Sequence, residues 1–265
     1  MLEIQALTKT FSIGTANERT ALRSFSLKLQ KGDFVTIIGG NGAGKSTLFN
    51  LIAGSFQPDS GKILLDGEDI TYLPEYRRAA YIGRLFQDPL KGTAPSLTVE
   101  ENLALAYGRG AKRGLLPAIT RKDRAYFTRI LEPLGLGLES RMKTRMGLLS
   151  GGQRQAVTLL MATMVTPKLL LLDEHTAALD PATAGKVLAL TQETVARSSI
   201  TTLMVTHNIA SALKLGNRTI MMDKGALALE LDPAKREKMT VSEVLALFHE
   251  REGKALDNDR ILLAE

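Results

Sequence analysis

Phe34-Val-Thr-Ile-Ile-Gly-Gly-Asn-Gly-Ala-Gly-Lys-Ser-Thr47 is the stretch on which the reading of this chain turns. Phe34 to Ile38 is a short β-rich run that stops abruptly at Gly39. From Lys45 to Ala53 the apolar residues Leu48, Leu51 and Ile52 recur at helical spacing. The order is strand, glycine loop, helix, and within it Gly39-x4-Gly44-Lys45-Ser46 matches the P-loop pattern in the context its mechanism requires. Glycines let successive backbone N–H groups turn onto phosphate oxygens, and the helix N-terminus adds the positive end of its dipole. Lys45 reaches the outer phosphates and Ser46 can ligate Mg²⁺. Gly39, Asn41, Gly42, Ala43, Gly44, Lys45, Ser46 and Thr47 are therefore candidate nucleotide contacts, with Lys45 also a candidate catalytic group. A glycine-rich turn before a helix would share the composition, but not the strand in front of it.

Downstream, Leu169 to Leu172 form a continuous apolar run between Lys168 and Asp173, the pattern of a strand buried on both faces of a parallel sheet. It delivers a carboxylate to the strand's end, where such sheets place their ligands. Asp173 would hold Mg²⁺ through its water shell, and Glu174 would polarise the attacking water as a general base. Standing alone, a leucine run ending in Asp-Glu is more often a strand meeting solvent; the P-loop upstream reverses that balance. Ile200 to Val205 and Thr219 to Met222 repeat the buried-strand pattern. Leu2 to Leu7 and Leu22 to Leu29 instead alternate like half-exposed strands. With Lys62 to Leu65, framed by Pro58-Asp-Ser-Gly61 and Asp66-Gly67, they predict a small antiparallel β element.

From Pro89 to Leu149 the β signal gives way to helical patterns, clearest over Val99 to Ala106 and Arg124 to Leu134. Between them runs a basic, glycine-containing stretch from Gly108 to Arg124, read as a solvated loop. A helix opens near Gln153 and stops before Pro167. Val241, Val244, Leu245 and Phe248 at i, i+3, i+4 and i+7 behind Thr240 predict a short amphipathic helix followed by a polar tail. The expected fold is α/β: a P-loop NTPase core with a mostly parallel sheet over residues 1–88 and 150–230, carrying the antiparallel β element. A helical lobe fills 89–149 and extends into the helix after 150, and 231–265 form a C-terminal helix and tail.

Leu149-Ser-Gly-Gly-Gln153 makes a resemblance specific: with the P-loop and the acidic strand end, this pentapeptide is similar to the signature of the ATP-binding-cassette (ABC) family. Ser150 and the amides of Gly151 and Gly152 stand at a helix start, a second anion site. The resemblance implies that Ser150, Gly151, Gly152 and Gln153 contact the γ-phosphate of ATP on a second copy of the chain, in a head-to-tail dimer. It further implies that Gln87 is the Q-loop glutamine meeting Mg²⁺ or water and that His207 is the switch histidine at the γ-phosphate. Ala178-Leu-Asp180 would be the D-loop, with Ala177 where many members carry serine, and Phe11 the aromatic that stacks on adenine. An isolated glutamine, histidine or phenylalanine would suggest none of this. The likeness spans residues 2 to 230.

Composition narrows the function without naming the load. The 265 residues carry no cysteine, which excludes disulfides and thiolate chemistry, and no apolar run of membrane-spanning length. Met1-Leu-Glu-Ile-Gln lacks the layout of a signal peptide. The formal charge of +6 suits nucleic acid, anionic lipid or a polyanionic nucleotide alike. The absence of an Asn-Lys-x-Asp element favours ATP over GTP. The resemblance implies an ATPase subunit at the cytoplasmic face of a bacterial membrane. It would drive separate permease subunits and work with an extracytoplasmic solute-binding protein, for uptake of amino acids or related small solutes, with no direct nucleic-acid partner. A soluble ABC ATPase of iron–sulfur assembly or of nucleic-acid association, or an export or lipoprotein-release ATPase, stays open on the motifs alone.

Overall fold

The computed structural model describes residues 1–109, 119–236 and 239–252. Most of the basic stretch after Gly108, and the C-terminal tail, lie outside the described residues. The chain opens with β1 (Leu2–Phe11), β2 (Arg19–Leu29), β3 (Phe34–Ile38), α1 (Lys45–Ala53), β4 (Ser60–Leu65), β5 (Glu68–Asp69) and α2 (Glu75–Arg78). Next come β6 (Ile82–Leu85), α3 (Val99–Tyr107), α4 (Arg121–Leu131), α5 (Gly151–Thr163), β7 (Leu169–Asp173) and α6 (Pro181–Ser198). It continues with β8 (Thr201–Val205), α7 (Ile209–Leu215), β9 (Arg218–Asp223), β10 (Ala226–Leu231), α8 (Pro233–Arg236) and α9 (Val241–Glu252). Two compact units result, residues 1–78 with 201 onward, and residues 79–200. The sequence pattern follows the switch from β to helical periodicity, whereas this division groups β6 and β7 with the helices around them.

In the first unit the half-exposed strands form the expected antiparallel sheet, in the order β2-β1-β4-β5. The fully buried strand β3 lies between β9 and β8, parallel to both, while β10 turns back antiparallel along β9. All five residues of β3 are buried, and its one polar side chain is satisfied: Thr36 Oγ1 lies 2.8 Å from Thr219 Oγ1 and 3.1 Å from the Ala212 carbonyl. Ile37 pairs with Val205 and Ile38 with Met221. The chain therefore leaves β3 at Gly39 and β8 at Thr206 along the same edge of the sheet, and the Thr206 amide bonds the Ile37 carbonyl at 3.1 Å.

Arg78 fixes the far end of α1. The side chain is 1% exposed and donates from Nη1 to the carbonyls of Leu51 (2.6 Å) and Ile52 (2.9 Å), from Nη2 to Thr71 (2.8 Å), and from Nε to Leu73 (2.7 Å). Helix α1 has no basic residue in its own last turn, so this guanidinium satisfies carbonyls that the helix leaves orphaned and meets the negative end of its dipole. Burial pulls the Arg78 pKa down, with Asp69 and Glu75 opposing, yet a guanidinium stays charged.

In the second unit β6 and β7 pair in parallel, from Ile82 with Leu169 to Leu85 with Leu172. The helical lobe has its own core, in which Val99, Leu103, Phe127, Leu131, Met146 and Val157 are fully buried. Reciprocal capping boxes start its helices: Thr98 with Glu101 on α3, Thr120 with Asp123 on α4, and Ser150 with Gln153 on α5. Arg109 does for α5 what Arg78 does for α1, donating from Nη2 to the carbonyls of Ala162 (3.2 Å) and Val165 (2.9 Å) at the helix's end.

Arg78→Met should lower unfolding free energy by about 3 kcal/mol, since an apolar side chain leaves several buried carbonyls without donors. Arg78→Lys should fall between the two. Urea unfolding followed by circular dichroism measures both, and a Met variant as stable as the parent chain would contradict this role.

Candidate functional site

In the first unit the loop between β3 and α1 is shaped by its glycines. Gly44 is the N-cap of α1 at φ 101°, and no side chain caps that helix start. A Cβ at Gly44 would stand 2.5 Å from the Ala21 carbonyl oxygen, so both the left-handed conformation and the close approach of β2 demand glycine. Gly39 and Gly42 also have positive φ, which wraps the loop around its own N–H groups. Lys45, 6% exposed, lays its ammonium across the loop, donating to the carbonyls of Gly39 (2.7 Å) and Gly40 (3.0 Å). Ser46 is exposed and Thr47 half-buried at the helix's first turn. His207 follows β8 at the same sheet edge, half-buried, ahead of an Asn208 that caps α7.

Phe11 ends β1 opposite Arg19, and its ring meets Phe56 edge-on at 5.4 Å between centroids. Arg19 was not a sequence candidate, yet its Nη2 donates to the Gly42 carbonyl at 3.1 Å and ties the β1–β2 hairpin to the phosphate loop. With Glu18, Thr20, Arg23, Gly42 and Lys224 it lines a basic cavity of about 430 Å³ beside that loop. The only signal for it in the sequence was the strand register, which single-chain periodicity does not give.

The second unit brings the remaining candidates to strand ends and a helix start. Leu85 pairs with Leu172, so Gln87 and Glu174 emerge two residues later from neighbouring parallel strands. Asp173 Oδ2 lies 3.9 Å from Arg84 Nη2, and the same guanidinium stacks 4.4 Å from the Phe86 ring centroid. The carboxylate thus lies in a position that already attracts a cation. Within this unit the carboxylate of Asp173 and the amide oxygen of Gln87 are hard donors of the kind Mg²⁺ takes, so their chemistry fits that ion. Glu174 has φ 45°, a left-handed backbone that costs a non-glycine residue about 1–2 kcal/mol.

At the signature turn, Ser150 Oγ accepts from the Gln153 amide at 3.3 Å while Gln153 Oε1 accepts from the Ser150 amide at 3.2 Å. The hydroxyl proton of Ser150 is still available to a ligand. Arg154 gathers the approach to the turn, donating to the carbonyls of Met146, Gly147 and Leu149. Gly152 is buried against α6: a Cβ there would stand 2.1 Å from Thr183 Cγ2.

Residues 22–177 match the ABC transporter family. The chain belongs to that family. It is 44% identical over 248 residues to the tyrosine transport ATP-binding protein of Clostridioides difficile, covering 94% of this chain and 98% of that one. It is 36% identical to the thiamine import ATP-binding protein of Escherichia coli, covering 77% and 83%. Among solved structures, a dimeric ATP-binding cassette in a post-hydrolysis state with ADP and Pi superposes with a TM-score of 0.74 at 30% identity, over 88% of this chain and 99% of that one. A nucleotide-free ABC transporter cassette superposes at 0.76 and 28%. The expected fold is the observed one, and the chain is an ATP-binding ATPase of this family.

Gly152→Ala should depress ATPase turnover about tenfold by forcing α5 and α6 apart. Adding Thr183→Ser, which removes the clashing methyl and keeps the hydroxyl, should restore most of it. Steady-state ATP hydrolysis by the single and double variants checks this; no rescue would mean that the contact is not what Gly152 serves.

Proposed function

We propose that this ATPase powers the uptake of an amino acid, of the aromatic kind, through separate permease subunits. The relative at 44% identity, aligned over nearly its whole length, carries this reading, because it is a tyrosine transport ATP-binding protein. The thiamine, nitrate and putrescine relatives match at lower identity and point to small-solute import more broadly. No described helix is long and apolar enough to cross a membrane, which leaves the passage itself to other chains.

Two copies assemble head to tail, each lending Ser150 to Gln153 to the nucleotide on the other's phosphate loop; that a cassette relative is dimeric supports the pairing. The loop from Gly39 to Thr47 receives the phosphates on its amides, and Lys45 exchanges its bonds to the Gly39 and Gly40 carbonyls for phosphate oxygens. Ser46, Gln87 and Asp173 would hold Mg²⁺, which supplies charge neutralisation on the β- and γ-phosphates. Glu174 takes the proton of the attacking water, and His207 orients that water and the γ-phosphate. Phe11 stacks on adenine. Closing and opening of the dimer transmits the work to the permease, at the cytoplasmic face of the membrane. A solute-binding protein outside the membrane delivers the cargo.

Glu174→Gln should bind ATP with parental affinity yet hydrolyse it at least about tenfold more slowly, and should run as a dimer in ATP on gel filtration. Unchanged turnover removes Glu174 as the base. Lys45→Ala should lose nucleotide affinity in a direct fluorescence titration. In cells, deleting the gene should abolish ATP-dependent uptake of labelled tyrosine and leave thiamine and nitrate uptake intact; the reverse pattern overturns the amino-acid assignment.

A further inference from the structure

His175 follows Glu174 and is 1% exposed, and its ring nitrogens meet no carboxylate, so a neutral ring is the form such a site holds. Its Nε2 lies 3.2 Å from Thr191 Oγ1 on α6, and Thr191 in turn donates its single hydroxyl proton to the Val187 carbonyl at 2.8 Å. With that proton committed, Nε2 must be the protonated nitrogen and the donor to Thr191. Nδ1 is then a buried acceptor with no partner, a lesser cost than a buried orphan N–H would be. The ring is therefore held by one directional bond, through the ε position.

That bond bears on the residue before it. Glu174 sits in the strained left-handed region, and such a conformation persists only where its surroundings over-determine it. On one side it is fixed by β7, which ends at Asp173, and beyond it the Ala177 amide closes a turn onto the Glu174 carbonyl at 2.9 Å. Between these, His175 nails the turn to α6. Thr183, Val187 and Thr191 are spaced i, i+4, i+8 along one stripe of that helix, and Thr183 is the residue packed against Gly152 of the signature turn. One face of α6 thus supports Glu174 at one end and the signature turn at the other.

We propose that His175 is a positioning residue for ATP hydrolysis: its Nε2–H bond to Thr191 fixes the backbone of Glu174 on the helix that also backs the signature turn. The proposal rests on Glu174 being the base. The test measures kcat, KM, affinity for a fluorescent ATP analogue and thermal unfolding on the full-length chain. His175→Leu should lower kcat about tenfold with KM and nucleotide affinity within about twofold of the parent. His175→Gln, whose amide reaches the ε position, should recover kcat to within about twofold, while His175→Asn, whose amide reaches only the δ position, should stay low. Thr191→Val should reproduce His175→Leu, Thr191→Ser should match the parent, and the Leu/Val double variant should be no slower than either single one.

If His175→Leu does not fold, the Thr191 pair decides alone. Parental kcat in Thr191→Val, or equal recovery by Asn and Gln, overturns the proposal. Glu174→Gln measured alongside separates the two levels. If it turns over like the parent, the base assignment falls and this inference with it. If it is inactive while His175→Leu and Thr191→Val run at the parental rate, only the role of His175 falls.

Discussion

A helix cannot pair its first four N–H groups or its last four carbonyls, and this chain uses the two ends differently. The start of α1 is capped by glycine and that of α5 by a serine–glutamine box, and the proposed function gives the orphan donors of both to phosphate. At their ends the orphan acceptors are given to arginines from elsewhere in the chain, Arg78 for α1 and Arg109 for α5, and neither helix has a basic residue of its own in its last turn. Arg236 repeats the device on α7, donating to Ala212, Leu213 and Gly216. A helix that is to grip a nucleotide, as proposed for α1 and α5, must not shift along its axis when the phosphates pull, and a guanidinium on two or more carbonyls is a directional anchor that apolar packing alone does not supply.

The parts legible in the sequence were those whose chemistry is local. Phe34 to Thr47 declares itself because a buried strand, a glycine run with positive φ and a helix start must all fall within 14 residues. The acidic strand end at Asp173 and the signature turn are read for the same reason. Helix α6 passed without notice: its buried positions are Val187, Thr191, Thr194 and Val195, so threonines occupy places where periodicity looks for leucine. Their hydroxyls are tolerated inside because a helical threonine can bond back to the carbonyl four residues earlier, as Thr191 does to Val187. Arg19, Arg78, Arg154 and His175 were illegible for another reason. Arg19, Arg78 and His175 act on groups 16 or more residues away, Arg154 on carbonyls of the preceding turn, and a lone arginine or histidine carries no pattern that points to its target.

The threonine-lined face of α6 also bears on how Glu174, the proposed base, is held. Glu174 gains its orientation from a conformation that would relax if released. Helices pack as rigid bodies, so a support shared by Glu174 and the signature turn makes the geometry of one depend on the seating of the other. Proline at the start of α6 and the Asp180 side chain capping Thr183 stiffen the end that lies against Gly152.

The net charge, which on composition alone left nucleic acid and lipid open, reads differently once the arginines are placed. Arg78, Arg109, Arg154 and Arg236 all donate to main-chain carbonyls, and Arg218 bridges Asp33 and Glu230. These guanidiniums hold helix ends and strands through partners inside the chain, although a bond to a neutral carbonyl leaves their charge in place. Among the described residues the basic cavity beside the phosphate loop, with Arg19, Arg23 and Lys224, is where positive charge faces solvent next to chemistry that needs it. Exposed arginines and lysines also stand well away from it, Arg121, Lys122, Arg141 and Lys143 among them, so the cavity is set apart by its place beside the phosphate loop rather than by holding most of the surface charge.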